Sequence, residues 1–236
     1  LSTVLYRRPA TPARKQGGLG TLFRPVDLIH GSCWRAILAF ACPIILSYLL
    51  QQIYTISDAA IVGQTLTAQE VAGVNDTSAL IFIFLQFAFG VSAGFCVITS
   101  RHAGAHDEAG VRRSLATQIV LSTVLTILLT ALAMALLNPL LAWIHVTPDQ
   151  GDVYRAAHTY CAIIFCGIGA QLFYNFICSF LRSIGDSVTP LAFLLFSTLL
   201  NVALDLLFIL SFGWGVAGAA IATVLAQLLS TIACFI

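Results

Sequence analysis

The stretch LAFLLFSTLLNVALDLLFILSF, at residues 191–212, decides the fold of this chain. It is long enough to cross a bilayer as an α-helix, yet it carries Asn201 and Asp205 and contains no Lys or Arg. A carboxylate at that depth costs several kcal/mol unless something binds or neutralises it. The stretch therefore predicts a membrane helix that holds a functional acid.

The rest of the chain has the same apolar character. Hydrophobic residues make up 59% of it and charged residues only 9%, whereas an ordinary soluble domain has about 25% charged residues. Backbone polar groups in hydrocarbon must be satisfied within their own segment, so each apolar run is predicted to be a helix. The sequence therefore predicts an all-α membrane protein with six spans, at about 36–62, 77–100, 114–138, 153–181, 190–212 and 216–236.

The Lys and Arg residues predict the orientation of these spans. Ten of the eleven lie in the N-terminal part or in the second–third and fourth–fifth connections, and Arg155 alone lies on the other side. Basic loops stay in the cytoplasm, so we expect a multi-pass protein of the inner or plasma membrane with a cytoplasmic tail at residues 1–30. That tail has no apolar run typical of a signal peptide. Because the chain lacks an initiating Met and ends inside an apolar run, we expect it to be a fragment.

Asn201 and Asp205 form the strongest candidate site. Their i, i+4 spacing puts both side chains on one helix face, one turn apart. Facing lipid would be costly, so this face is expected to line the bundle interior or a watery cavity. The alternative is a structural hydrogen-bonded pair that joins helices. Because the pair includes an acid, the sequence favours a cation or proton site.

Asp58 is the second acid within an apolar run. Tyr54 lies four residues before it, and small residues that allow close helix approach follow it. The alternative is that Asp58 reaches water at the outer interface. Pro43, earlier in the same span, removes one backbone hydrogen bond, so we expect a bend there that acts as a hinge.

Weaker candidates lie on two other spans. Thr223 in the sixth span is expected to present its hydroxyl to the ion beside Asp205, or else to bond its own helix backbone. Gln171 and Asn175 in the fourth span have i, i+4 spacing and form either part of a polar path or a helix–helix contact.

Taken together, these residues resemble the N-terminal half of a MATE (multidrug and toxic compound extrusion) transporter from residue 27 onward. No single motif carries the resemblance, which rests on their order and spacing. The motifs are FACPII at 40–45, LLQQIY at 49–54, Asp58, IVG at 61–63, LRSIGD at 181–186, TP at 189–190, NVALD at 201–205 and GVAGAAIAT at 215–223.

The resemblance implies that residues 31–236 form a six-helix lobe, half of a twelve-helix antiporter that exports organic cations in exchange for Na+ or H+. Some of these transporters have a cation site in the N-terminal lobe. The residues that line it are matched here by Asp58, Asn201, Asp205 and Thr223, which would also be the ligands of a bound Na+. Tyr160 resembles a site-lining tyrosine of the fourth helix. The implied partners are the lipid bilayer, organic cation substrates and the C-terminal lobe; we expect a monomer that needs no cofactor other than the coupling ion and binds no nucleic acid.

The chain departs from the family at Asn75 and Asp76, where small or apolar residues are usual.

Two other functions compete with cation antiport. A lipid-linked saccharide flippase of the same superfamily would carry basic residues in its cavity, whereas here they lie outside the spans or at their ends. An intramembrane aspartyl protease would show a Gly-x-Gly-Asp motif, but Gly185-Asp186 lacks the first glycine and lies in a connection. We therefore expect a transporter and not an enzyme.

Overall fold

A computed structural model of the protein describes residues 33–235, and within that range the chain forms helices joined by short connections, with no strand. The predicted tail at 1–30 lies outside the described residues. The helices are α1 (Cys33–Thr65), α2 (Ala68–Gly104), α3 (Glu108–Ala135), α4 (Leu137–Trp143), α5 (Asp152–Cys166), α6 (Ile168–Ser183), α7 (Val188–Asp205) and α8 (Gly215–Phe235); a π-helical segment (Leu206–Ser211) follows α7 and a 3₁₀ turn (Pro148–Gln150) precedes α5.

The lengths and surfaces of these helices are those of a membrane protein. Five helices are long and apolar enough to cross a bilayer, or six if α5 and α6 are counted as one broken span. Large apolar side chains such as Ile45, Phe82 and Ile127 remain more than half exposed, as expected where lipid replaces water. Phe165, Phe176 and Phe180 are fully buried between the helices. The prediction of an all-α, multi-pass membrane fold is confirmed.

The fourth span is broken, which the sequence-based prediction of one helix over 153–181 did not include. Helices α5 and α6 meet at 47° around Gly167. A Cβ atom at Gly167 would collide with the side chain of Val224 on α8. Glycine at this point therefore lets α8 approach the break closely, and its low helix propensity favours the interruption.

The second helix begins at Ala68, nine residues before the predicted start at residue 77. Its first turn is fixed by a capping box, in which the Thr67 hydroxyl accepts the Glu70 backbone N–H and the Glu70 carboxylate accepts the Thr67 backbone N–H at 2.9 Å. Asn75 and Asp76 consequently lie inside the helix, where both are exposed.

Helices α1, α7 and α8 bring the polar residues of the predicted site together. Helix α1 packs mainly against α7, and α7 packs against α8. The turn between the π-helical segment and α8 requires glycine, since Gly213 and Gly215 have φ of +65° and +56°. This tight turn keeps α8 alongside α7 and directs Thr223 toward the polar face of α7.

Candidate cation-binding site

Asp205 and Asn201 occupy the buried face of α7. Asp205 is the last residue of α7, Asn201 lies one turn earlier, and both side chains are 0% exposed. Asp58 lies on α1, the helix that packs against α7, and is only partly buried. The carboxyl groups of Asp58 and Asp205 are close enough to interact directly. The two acids that the sequence placed on separate spans therefore share one site.

The hydrogen bonds at this site leave several oxygens without a donor. The Asn201 amide donates to the Thr223 hydroxyl at 3.4 Å, which joins α7 to α8. Asn201 Oδ1, Asp58 Oδ1 and both carboxylate oxygens of Asp205 are buried and accept no hydrogen bond from the described residues. Buried acceptors are normally satisfied, so a cluster of four such oxygens indicates a place for a ligand.

No basic side chain of the described region compensates these acids. The ion pairs within residues 33–235 are His102–Asp107 and Arg155–Asp152, both at the ends of helices, and neither includes Asp58 or Asp205. A permanent salt bridge with Asp205 is therefore absent from this region. The site presents oxygen atoms and negative charge, which a small hard cation or a proton can satisfy.

Two tyrosines also border the site. Tyr160 of α5 is near Asp58, Asp205 and Tyr54. Tyr54 of α1 is near both acids and lies beside the Thr223 hydroxyl. Tyr160 was predicted from the family resemblance as a site-lining residue, whereas Tyr54 was not predicted to line the site. The signal for Tyr54 was present, since its i, i+4 spacing with Asp58 places both on one face of α1.

The other predicted residues lie apart from these contacts. Gln171 and Asn175 are half-buried on α6, and their side chains make no hydrogen bond to any group in the described part of the chain. Pro43 is buried within α1, which is helical on both sides of it. The Ser47 hydroxyl donates to the Pro43 carbonyl at 2.8 Å. A hinge at Pro43 stays a prediction.

A π-helical segment begins directly after Asp205. Its residue Ile209 packs in a small cluster with Val62 of α1 and Ala219 of α8. At Gly218 the backbone of α8 comes so close to Phe208 that a Cβ would lie 3.2 Å from its carbonyl carbon. Short π-helical turns are rare and often occur at functional sites. Here the segment fixes where α7 ends and hence the position of Asp205.

The architecture as a whole is a bundle of membrane-spanning helices, and solved structures described as transporters share this fold. One is described as a MOP superfamily transporter from Pyrococcus furiosus, with a TM-score of 0.81 and 24% identity over 89% of this chain and 46% of that chain. Another, described as an outward-facing multidrug resistance MATE family transporter, has a TM-score of 0.80 and 24% identity over the same shares of the two chains. At this identity the likeness concerns the fold.

Sequence comparison identifies the family. The model of the family described as MatE matches residues 43–207, a range that includes Pro43, Asp58 and Asp205, so the chain belongs to the MatE family. The resemblance to MATE transporters found in the sequence motifs is confirmed.

Curated relatives agree with this assignment. The probable multidrug resistance protein YpnP of Bacillus subtilis (strain 168) is 34% identical over 85% of this chain and 44% of its own length. The probable multidrug resistance protein YoeA of the same organism is 30% identical over 87% of this chain and 44% of its own length. The chain thus spans about half the length of the relatives it matches.

Proposed function

We propose that this chain forms the N-terminal lobe of an antiporter that exports organic cations or drugs in exchange for Na+ or H+. Because the chain spans about half the length of its relatives, transport would require a C-terminal lobe of the same polypeptide. The names of YpnP and YoeA as probable multidrug resistance proteins support drug-like cargo. The coupling ion would bind among Asp58, Asn201, Asp205 and Thr223.

One observation carries this proposal. Asp205 is 0% exposed, and neither of its carboxylate oxygens accepts a hydrogen bond within residues 33–235. An acid without donors or a basic partner in a membrane helix does not stabilise the fold, because removing a carboxylate from water costs several kcal/mol. Function explains its presence better than structure does.

Repulsion between the carboxylates of Asp58 and Asp205 explains why this site would bind and release a cation. Two ionised carboxylates in one buried site repel each other, by about 4 kcal/mol for unit charges at about 4 Å and an effective dielectric constant near 20. A proton or Na+ between them removes that repulsion. Asn201 Oδ1 and the Thr223 hydroxyl would add neutral oxygen ligands suited to a hard cation.

Ion binding would act on transport through the relation between two helices. Asp58 belongs to α1 and Asp205 to α7, so a cation shared by both holds the helices together, whereas the empty, charged site separates them. The coupling ion and the drug need not meet: one need only favour the inward-facing state and the other the outward-facing state. With Pro43 as a bend in α1, loading of the site would alter the cavity between two rocking lobes and release the drug.

The test is efflux of a fluorescent organic cation by the full-length protein in proteoliposomes, with Na+ and H+ gradients imposed separately. Asp205→Asn and Asp58→Asn should each abolish the response to the coupling gradient. Asp76→Asn is the matched control, since it removes an exposed acid on α2 and should leave efflux unchanged. Gradient-driven efflux that persists in both site variants would refute the assignment.

The same vesicles separate the rival functions. Movement of a labelled lipid-linked saccharide without efflux of organic cations would indicate a flippase. Cleavage of a membrane-embedded peptide that is lost in Asp205→Asn would indicate a protease.

A further inference from the structure

A groove of about 550 Å³ opens on the side of the bundle between the end of α2 and the beginning of α3, away from the acids of the ion site. Its walls come from residues 95–102 of α2, the connection at Asp107, and residues 109–121 of α3. Ile98 at 57% and Leu121 at 43% exposure stand on its rim. The groove therefore faces the surroundings of the bundle and not its core.

The groove changes from polar to apolar along its length. His102, Asp107 and Arg113 line the end near the α2–α3 connection, and Phe95, Ile98 and Leu121 line the other end. Arg113 and Leu121 are eight residues apart on α3, a rise of about 12 Å. Half the hydrocarbon core of a bilayer is about 15 Å thick. A groove of this length that begins at the membrane surface would extend through most of one leaflet.

The polar end carries one formal positive charge, on Arg113, and one negative charge, on Asp107. The Asp107 carboxylate is already engaged, because it accepts the Gly110 backbone N–H at 2.9 Å and contacts His102 Nδ1 at 3.0 Å. Arg113 forms no ion pair with a residue of the described region. Its planar guanidinium matches phosphate oxygens in two-point hydrogen bonding.

Hydrogen bonds of Gln118 hold the floor of the groove. Gln118 is 3% exposed, and its side-chain amide donates to the Thr99 hydroxyl at 2.7 Å and the Ser114 hydroxyl at 2.8 Å. The bond to Thr99 joins α3 to α2 beneath the groove, whereas the bond to Ser114 lies within α3. A ligand would enter a preformed site and lose little free energy to reorganisation.

We propose that this groove binds one anionic phospholipid of the adjoining leaflet, with its phosphate on Arg113 and an acyl chain against Phe95, Ile98 and Leu121. The order of polar and apolar groups along the groove matches the order of headgroup and chain in a lipid. The polar end lies on the side that the basic residues predict to be cytoplasmic, where anionic lipids are concentrated. Basic pockets between membrane helices on that side bind such headgroups.

Native mass spectrometry of the delipidated full-length protein, titrated with diacyl phosphatidylglycerol in detergent, tests the headgroup contact. Arg113→Gln should weaken binding of the tightest lipid by about five- to tenfold, the effect of one basic residue at an anionic headgroup. Arg112→Gln is the matched control, because it removes the same charge from the neighbouring exposed position that does not line the groove. Binding that is unchanged in Arg113→Gln, or equally reduced in both variants, overturns the proposal.

The acyl-chain contact has its own matched pair. Ile98→Trp should fill the groove and weaken phosphatidylglycerol binding severalfold, whereas Val97→Trp, 58% exposed on the adjacent position outside the groove, should not. Both substitutions are on the surface, and melting temperatures of the two variants verify that they fold. Inorganic phosphate should not displace the lipid at equal concentration. Displacement by phosphate would identify a free-anion site instead. Unchanged lipid binding in Ile98→Trp would show that the acyl chain does not lie in the groove. Either result contradicts the proposal.

Discussion

The side-chain amide of Asn201 donates to the hydroxyl of Thr223 at 3.4 Å, and this bond links α7 to α8 one turn from Asp205. It uses the amide N–H as donor and so directs the carbonyl oxygen Asn201 Oδ1 away from Thr223, where it accepts no hydrogen bond from the described residues. The Thr223 hydroxyl therefore orients the oxygen that we assign to the coupling ion.

Thr223→Val should weaken ion binding because it removes one proposed oxygen ligand of the ion and the acceptor that orients Asn201. One neutral hydrogen bond contributes about 1 kcal/mol, so the half-saturating concentration of the coupling ion should rise about fivefold. Thr223→Ser keeps the hydroxyl and should stay within about twofold of the original value. The measurement is the ion dependence of organic cation efflux.

Thr198→Val provides the control for this prediction. The Thr198 hydroxyl donates to the Leu194 carbonyl of its own helix at 2.8 Å and does not cross to α8. Its loss should leave ion dependence unchanged. An equal effect of Thr198→Val and Thr223→Val would mean that removing any hydroxyl from this region disturbs transport. That result would contradict the specific role of Thr223 in orienting Asn201.

Ion binding should also appear in thermal stability. A ligand that binds only the folded state stabilises it by about 2.7 kcal/mol at one hundred times its dissociation constant. If Na+ is the coupling ion, adding NaCl in place of choline chloride should raise the melting temperature of the full-length protein, and Asp205→Asn should abolish the increase. Asp76→Asn should keep it. A protein whose melting temperature does not respond to Na+, but whose efflux follows a pH gradient, uses protons.

The sequence predicted the apolar spans and the residues of the candidate site for reasons that the structure makes clear. Hydropathy detects the parts of helices that lie in lipid, and i, i+4 spacing detects shared faces. Asn201 and Asp205 were therefore placed on one face of one helix. Thr223 was also a candidate partner of Asp205. That Asp58 joins them was expected only from the family resemblance, since no spacing rule relates residues of different helices.

Other features depended on contacts that local patterns do not carry. The apolar run through Gly167 reads as one span, and only the closeness of Val224 on α8 explains the break. The start of α2 lies in the polar sequence AQEVAGVND, which hydropathy excludes from a span. The Thr67–Glu70 capping box was the available signal for that start.

Close packing of α2 on α5 should depend on Gly73. A Cβ there would lie 2.6 Å from the Val153 carbonyl oxygen and 3.0 Å from the Ala157 amide nitrogen, and backbone atoms cannot move aside cheaply. Gly73→Ala should therefore lower stability by about 1–3 kcal/mol, the usual cost of overpacking. Gly94→Ala on the same helix meets no atom within 4 Å and should be neutral or stabilising by up to about 1 kcal/mol. Equal melting temperatures for the two variants would contradict the packing argument.

The stability of the protein at low pH should depend on Asp107, which caps the start of α3 and lies in the connection outside the spans. The backbone N–H of Gly110, and secondarily His102, hold the pKa of the Asp107 carboxyl below its ordinary value. A group with a lowered folded-state pKa adds stability above its unfolded pKa, near 3.9, and loses that stability as the pH falls through the folded value. Lowering the pH from about 5 to below 4 should thus weaken the start of α3.

Asp107→Asn separates this effect from the titration of other acids. Asparagine caps helices about as well as aspartate but does not titrate. The stability of the variant should equal that of the original protein near pH 4 and should fall less at lower pH. The measurement is the melting temperature or the hydrogen exchange of the first turn of α3. Glu108→Gln, which removes the neighbouring acid without touching the cap bond, should keep the original pH dependence. If the Asp107 and Glu108 variants show the same acid profile, the bond from Gly110 does not control the stability of this helix start.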